Sequence, residues 1–367
     1  MSNAKNAGYT KEYNRQQILR LLRQQPLSRA DLARHTGLTR AAISLIVEEL
    51  MADGLVKESV LPADTHSRGR TPVLLKLRHE GAYAVGVRLT RSSCRVGLCD
   101  LRGGVLRTRT LPLPENGEAL TEVLAVVVKE LLQDIPRERV LGVGVSAPGP
   151  LDAQEGVILN PPGFEAYHGF GVSGIAQRLE LPVWLENDAN AEALHNYMDG
   201  DFPGRDSFLL LAINGGIGSG VIRRGKLLHE CELGHVSLDL NGPLCACGNR
   251  GCLEMLATND RILQQFPGFD RWDALMASPR ADEAIDLQGK YLAGALVSFF
   301  NLMPVETVLL GGDAETERLA PVIRKHMEGR TLWLNGRSLS VLPALRIPDG
   351  DICESASVVL GRWLHIC

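Results

Sequence analysis

The chain has 367 residues, of which 45% are hydrophobic and 22% charged, values that fit a folded protein with a real core and, at this length, two or three domains. No apolar run reaches the ~18–20 residues of a membrane span, and the polar start "MSNAKNAGYTKEYNRQQ" lacks the apolar centre of a secretion signal, so a cytoplasmic protein with no membrane partner is expected. The net charge of −4 hides a division: residues 1–77 hold 12 Lys and Arg against 7 Asp and Glu, and the remainder 27 against 36. A basic module on an acidic body suggests that only the first part meets a polyanion.

The polar start itself is given no fold. Ile18, Leu21 and Leu22 then fall at helical spacing, and Pro26 ends that pattern. Ser28, with Asp31 three residues later, resembles a capping box and opens a second helix carrying Leu32 and Ala33. "HTGL" is a tight turn, after which Thr39 caps a third helix with Ile43, Ile46, Val47 and Leu50 on its inner face. Helix, glycine turn, helix is the helix-turn-helix pattern. Two short strands, "GLVKESV" and "PVLLKL", flank the polar "LPADTHSRGRT", which reads as a wing. In such a motif the third helix enters the major groove. Its exposed early positions are Thr39, Arg40, Ala41 and Ser44, and Arg40 suits guanine or phosphate. Arg68 and Arg70, around a glycine, resemble a minor-groove arm. The alternative is a small helical protein-interaction domain.

From Gly81 the pattern changes. "AYAVGVRLT", "CRVGLCDL" and "GVLRTRTLPL" are successive strand-like runs. A helix follows near Ala119–Leu132, then the apolar strand "VLGVGVSAPG", the strand "PVWLEND" and the helix "ANAEALHNYM". A second series opens at "SFLLLAINGGIGSGVIRRGKLL" as strand, turn, strand. "TVLLGGD" is a late apolar strand with a Gly-Gly exit, and "ESASVVLGRWLHIC" reads as a final helix. Two strand-rich starts, each followed by alternating helices and strands, predict two related α/β lobes with a cleft between them.

The motifs "SAPGPLD", "ENDANAEA", "INGGIGSG", "ELGHVSL" and "CACGNRGCLE" stand in the order of the ROK family, which comprises repressors, open reading frames and sugar kinases, and from about residue 80 to its end the chain resembles that family. With the N-terminal winged helix-turn-helix, the whole resembles its repressor branch, the glucose-, N-acetylglucosamine- and xylose-responsive regulators. The resemblance implies an α/β body of actin-like (ribonuclease H-like) fold, the ATPase and sugar-kinase fold, with sugar in the cleft between lobes. The expected domains are residues 1–77, the winged module; 78–195, a first lobe completed by a C-terminal helix at about 353–367; and 196–352, a second lobe with a structural zinc site.

His235, Cys245, Cys247 and Cys252 supply one imidazole and three thiolates, a Cys₃His set suited to a closed tetrahedral Zn²⁺. Reduced free thiols and an iron–sulfur site are the alternatives. The spacing C-x-C-x₄-C after a distant histidine matches the family's zinc motif, and no ligand position is left for a reactive water. The family's sugar contacts map onto Gly149, Asn187, Asp188, Glu232, His235 and Glu254. Carboxylates suit this role because they accept strong hydrogen bonds from hydroxyls.

The family's kinases use the Asp of "END" as base, here Asp188, and a D-x-G-G-T loop after the first strand to hold Mg²⁺ and phosphate. Here "RLTRS", Arg88 to Ser92, occupies that place. Arg88 cannot bind Mg²⁺, and Thr90 and Arg91 replace the glycines. "NGGIGSG" (Asn214 to Gly220) and "LLGGD" (Leu309 to Asp313) retain the second phosphate loop and the adenosine loop. The expectation is a sugar-responsive transcriptional regulator, not an enzyme, with operator DNA and a sugar effector as partners, as a homodimer or homotetramer. A sugar kinase bearing a DNA-binding module and a DNA-binding protein switched by a protein partner are the rivals.

Overall fold

The structure, a computed structural model, describes residues 3–60, 73–229, 231–332 and 338–366. Its first helix, α1 (Asn3–Gln24), begins well before the apolar periodicity does, so the polar start is helical. Ile18, Leu19 and Leu22 are its buried face. The capping box forms at α2 (Arg29–Thr36): Ser28 Oγ accepts the Asp31 amide at 3.2 Å while the Ser28 amide donates to the Asp31 carboxylate at 3.1 Å. Gly37, at φ 72°, ends the helix in the left-handed region. Thr39 Oγ1 accepts the Ala42 amide and starts α3 (Arg40–Ala52), which buries Ile43, Ile46, Val47 and Leu50. Strands β1 (Val56–Val60) and β2 (Val73–Leu77) pair antiparallel from Val56↔Leu77 to Val60↔Val73. Arg68 and Arg70 lie outside the described residues.

The body opens with the meander β3 (Tyr83–Leu89), β4 (Ser93–Asp100) and β5 (Val105–Pro112). Then come α4 (Gly117–Leu131), β6 (Val140–Ala147), the small hairpin β7 (Leu151–Asp152) and β8 (Val157–Ile158), α5 (Ser173–Leu179) and β9 (Val183–Asn187). Next are α6 (Asp188–Asp199), a second meander β10 (Ser207–Ile213), β11 (Ile217–Arg223) and β12 (Lys226–Leu228), and the short helices α7 (Leu253–Ala257), α8 (Asn259–Leu263) and α9 (Trp272–Met276). The last elements are α10 (Ala281–Leu302), β13 (Thr307–Gly312), α11 (Thr316–Met327), β14 (Ser340–Pro343) and α12 (Gly350–Trp363).

The sheets run β5-β4-β3-β6-β9 and β12-β11-β10-β13-β14. In each, three antiparallel strands of a meander are extended by two parallel strands. The same strand order twice in one chain is the duplicated actin-like plan. The central strands β3 and β10 are buried almost throughout, as their near-continuous apolar sequences require.

The chain divides into one compact unit of Met1–Asn187 with Asp349–Cys367 and a second of Asp188–Pro348. The division thus falls at Asn187/Asp188 and not after residue 195, because α6 packs on β10 and β11 of the second sheet. The winged module clusters with the first sheet instead of standing apart.

In the first unit α12 packs across β3, β4, β6 and β9. Two glycines let its backbone touch the sheet. A Cβ on Gly86 would lie 2.4 Å from the Ile352 carbonyl oxygen, and one on Gly144 would lie 2.1 Å from that of Ser355. Ser146 Oγ and Ser355 Oγ share a hydrogen bond of 2.7 Å in this contact, and Arg95 pairs with Asp349 and Asp351 at the start of the helix.

Candidate functional site

In the second unit, the ligand atoms of His235, Cys245, Cys247 and Cys252 lie within 4.8 Å of one another. Cys245 Sγ is 3.5 Å from His235 Nδ1, and Cys247 Sγ is 3.7 Å from Cys252 Sγ. A tetrahedral ion with ligands at its usual zinc distances sets S–S edges of about 3.8 Å and S–N edges of about 3.6 Å. The cluster fits a metal ion of that size. Gly248 (φ 90°) and Gly251 (φ 58°) make the tight turns, and a Cβ on Gly251 would sit 1.9 Å from the Asp239 carbonyl oxygen. The loop is further closed by Leu238 N–H to Gly251 O at 2.8 Å and Cys245 N–H to Asn249 O at 2.8 Å.

The same knot carries carboxylates. Glu232 precedes the single turn Leu233–His235, and Glu254 stands in the first turn of α7 just after Cys252. Glu232 is exposed as a residue, but crowding desolvates its carboxyl. That desolvation raises it above the ordinary carboxylate range; His235 pulls it down, and Asp188 and Glu254 push it up. Asp188, Glu232, His235 and Glu254 therefore form one electrostatic group in this unit. Glu254 Oε2 also accepts the Ile217 amide at 3.2 Å and would lie 2.5 Å from a Cβ on Gly216. No motif announces this bond, which ties α7 to the second glycine loop.

In the first unit, Gly149 and Asn187 sit at the carboxyl ends of β6 and β9, neighbouring parallel strands paired up to Ala147↔Asn187. Ligands of open α/β sheets bind beyond such ends. At the end of β3, the loop of residues 88–92 is closed on itself. Thr90 Oγ1 accepts the Ser93 amide at 3.0 Å, and the Thr90 amide donates to Ser93 O at 2.9 Å. Arg91 turns away to donate through Nε to Pro162 O at 3.0 Å. The "NPPGF" loop (Asn160 to Phe164) is thus pinned by Arg91 and by the ring of His168, whose Nε2 lies 3.0 Å from Pro161 O.

On α3, Thr39, Arg40 and Ala41 are exposed and Ser44 is half-buried. Some of the module's cations are paired within it: Lys11 and Arg15 with Glu49 and Asp53, Arg29 with Glu58, and Arg34 with Asp31, pairs that leave the net excess unchanged. Among the described residues Arg40 has no ion pair. The sequence reading missed Leu45, 59% exposed and opposite the buried arc of Ile43, Ile46, Val47 and Leu50. The helical period alone places it beside Ala41 on the outer face.

Residues 84–339 match the ROK family, and residues 11–57 match winged helix-turn-helix DNA-binding domains. The chain is similar to the xylose repressor of Bacillus subtilis (strain 168), at 26% identity over 98% of this chain and 97% of the relative. Among solved structures it is similar to a ROK family transcriptional regulator described as a homologue of the Escherichia coli Mlc protein, with a TM-score of 0.79, 25% identity and 97% of each chain covered. It is also similar to the ROK hexokinase of Thermus thermophilus, with a TM-score of 0.63 and 28% identity, over 75% of this chain and 97% of that one. Among the described residues no helix is long and apolar enough to cross a membrane.

Proposed function

The chain belongs to the ROK family, and from that premise we propose that it is a sugar-responsive DNA-binding repressor that does no phosphoryl transfer, working in the cytoplasm as a dimer or tetramer. The observation that carries this reading is the pairing of a capped, outward-facing α3 with a body whose first phosphate loop is closed by Thr90 and Arg91.

Asp188, Glu232, His235 and Glu254 of the second unit would receive the hydroxyls of a sugar. Buried or crowded carboxylates are costly when they meet no donors, and each sugar hydroxyl supplies one. Zn²⁺ is the ion we assign to the Cys₃His set. It would be held by all four side chains and would supply rigidity, fixing the segments that bear Glu232 and Glu254. Binding changes operator affinity only insofar as sugar prefers one conformation of the protein.

The test is a fragment selected by the protein from random duplex DNA, its affinity then measured with and without D-xylose, N-acetyl-D-glucosamine and D-glucose. One of them should weaken binding, and Glu254→Ala should abolish that response while operator affinity without sugar stays within about threefold. A full panel of sugars and sugar phosphates without any effect on affinity would sink the sensor reading.

Phosphoryl transfer is disfavoured twice over. Arg88 offers no oxygen for Mg²⁺, and the Ile217 amide of the second glycine loop is already given to Glu254. Incubation with ATP, Mg²⁺ and each of these sugars is expected to yield no sugar phosphate above the protein-free blank. Product formed at an ordinary kinase rate would favour the rival reading.

For DNA, Arg40 and Leu45 are assigned to base edges, Arg40 to guanine and Leu45 to a thymine methyl. Arg40→Ala should weaken the selected site by about 1–3 kcal/mol. Leu45→Ala should relax the selection at a single A·T pair and leave affinity for scrambled DNA unchanged. Re-selection from the random library reads both results.

A further inference from the structure

The junction between the winged module and the body contains no free linker. The Arg78 amide donates to Leu55 O at 2.8 Å on the module side, and His79 O accepts the Leu101 amide at 3.0 Å on the body side. Between them, a Cβ on Gly81 would lie 2.8 Å from the Gly54 carbonyl oxygen. Two arginines of α1 then reach past this connection.

Arg23 is only 6% exposed, an unusual burial for a guanidinium. It donates through Nη2 to Arg102 O at 2.8 Å and through Nε to Leu101 O at 3.4 Å. Both carbonyls belong to the turn between β4 and β5. That turn is itself stiffened, since Asp100 Oδ1 accepts the Arg102 amide at 2.9 Å and the Gly104 amide at 2.8 Å. The thiol of Cys353, on α12, donates to Gly103 O of the same turn at 3.3 Å.

Arg20, one helical turn earlier, donates through Nε to Leu364 O at 2.7 Å and through Nη2 to His365 O at 2.7 Å. These carbonyls belong to the C-cap residue of α12 and the residue after it, next to the negative end of the helix dipole, where a cation is favoured. The helix they terminate is the one seated on Gly86 and Gly144. Its sheet ends at Gly149 and Asn187.

We propose that Arg20 and Arg23 are positioning residues that fix the DNA-binding module to the first lobe, so that α12 and the β4–β5 turn set the attitude of α3. The planar guanidinium is what the job requires, because it reaches two carbonyls at once in a fixed fork. Neither arginine is then available to DNA, although both count toward the basic charge of the module. Any displacement of α12 or of β6 reaches α1 through backbone carbonyls and two rigid forks.

For its consequence in gene control this rests on the regulator reading. The junction itself is tested without sugar or DNA, so the two fail separately. Amide hydrogen exchange is measured on the full chain as wild type, Arg20→Ala/Arg23→Ala and Arg20→Lys/Arg23→Lys, with Arg29→Ala as a control that removes a module arginine elsewhere. The alanine pair should speed exchange about tenfold in α1 and in the last turn of α12, while α2 and α3 keep wild-type protection. The lysine pair should restore protection only in part, since a point charge cannot span two carbonyls. Small-angle scattering should show a larger radius of gyration for the alanine pair alone.

Wild-type exchange and scattering in the alanine pair would overturn the proposal. So would faster exchange spread evenly over α2 and α3, which marks a merely structural role. Should the double variant fail to fold, the same exchange pattern is read on Arg23→Ala and Arg20→Ala singly, and unchanged α1 and α12 in both would overturn it equally.

Discussion

Cys252→Ser should leave the protein without its metal and with a loosened sugar-side loop. Cys252 is fully buried, and burial together with the neighbouring Cys247 and Cys245 thiols pushes its own thiol up to about 12. Without a cation the group stays protonated at neutral pH; a divalent ion at the centre of the four ligands reverses that preference. Structural zinc in small peptides contributes roughly 10–16 kcal/mol. Here the backbone bonds of Leu238, Cys245 and Gly251 hold part of the loop regardless, so the loss is a fraction of that figure. Lowering the pH adds protons that compete for three thiolates and an imidazole, so zinc release should rise as pH falls. Metal content by mass spectrometry and the effect of a chelator on Tm check both points. Cys231→Ser is the control: its sulfur lies outside the cluster, beside Ser219 Oγ. On the proposed function, in which the metal ties the segments bearing Glu232 and Glu254, sugar response should vanish with it, while operator affinity without sugar should survive. A Cys252→Ser protein that keeps stoichiometric zinc would remove the ion from the account.

Much of this was legible in the sequence, for reasons that differ from element to element. The capping box at Ser28 and Asp31 and the cap at Thr39 are local chemistry, and they form where their residues stand. Strand runs such as "AYAVGVRLT" are nearly all apolar, and the structure buries them. The four side chains of the Cys₃His cluster lie within a short stretch, so their grouping follows from chain proximity. What sequence did not disclose is carried by bonds between distant residues. Arg20 reaches a carbonyl 344 positions away and Arg23 one 79 positions away. No periodicity encodes such contacts. The polar start has no apolar periodicity to mark it as part of α1, whereas Ile18, Leu19 and Leu22 mark the later turns. Helices α10 and α11 carry no chemical motif, and they pack on each other. Asp188 shows the limit most clearly: "END" is continuous in sequence, yet the division between units passes between Asn187 and Asp188.

Gly144→Ala should be among the most damaging single-methyl changes in the first unit. Its Cβ would fall 2.1 Å from Ser355 O and 3.1 Å from Val358 Cβ, far inside the roughly 3.5 Å of normal contact. The obstacle is backbone on both sides, a central strand and a nearly all-buried helix, so no side chain can turn away to make room. Either α12 lifts from the sheet or β6 bends, at about 3 kcal/mol, the upper end for overpacking. For a unit of this size that lowers Tm by on the order of 10 °C. Gly174→Ala, in the first turn of α5 with nothing within 4 Å of the added atom, should instead be neutral or raise stability by up to about 1 kcal/mol. The pair therefore separates the loss of glycine as such from the loss of contact. If Gly144→Ala melts within about 2 °C of wild type, the close seat of α12 is wrong. If it melts early and also speeds exchange in α1, the displacement has travelled along α12 to Arg20, and the helix is confirmed as the part through which the first lobe holds its DNA-binding module.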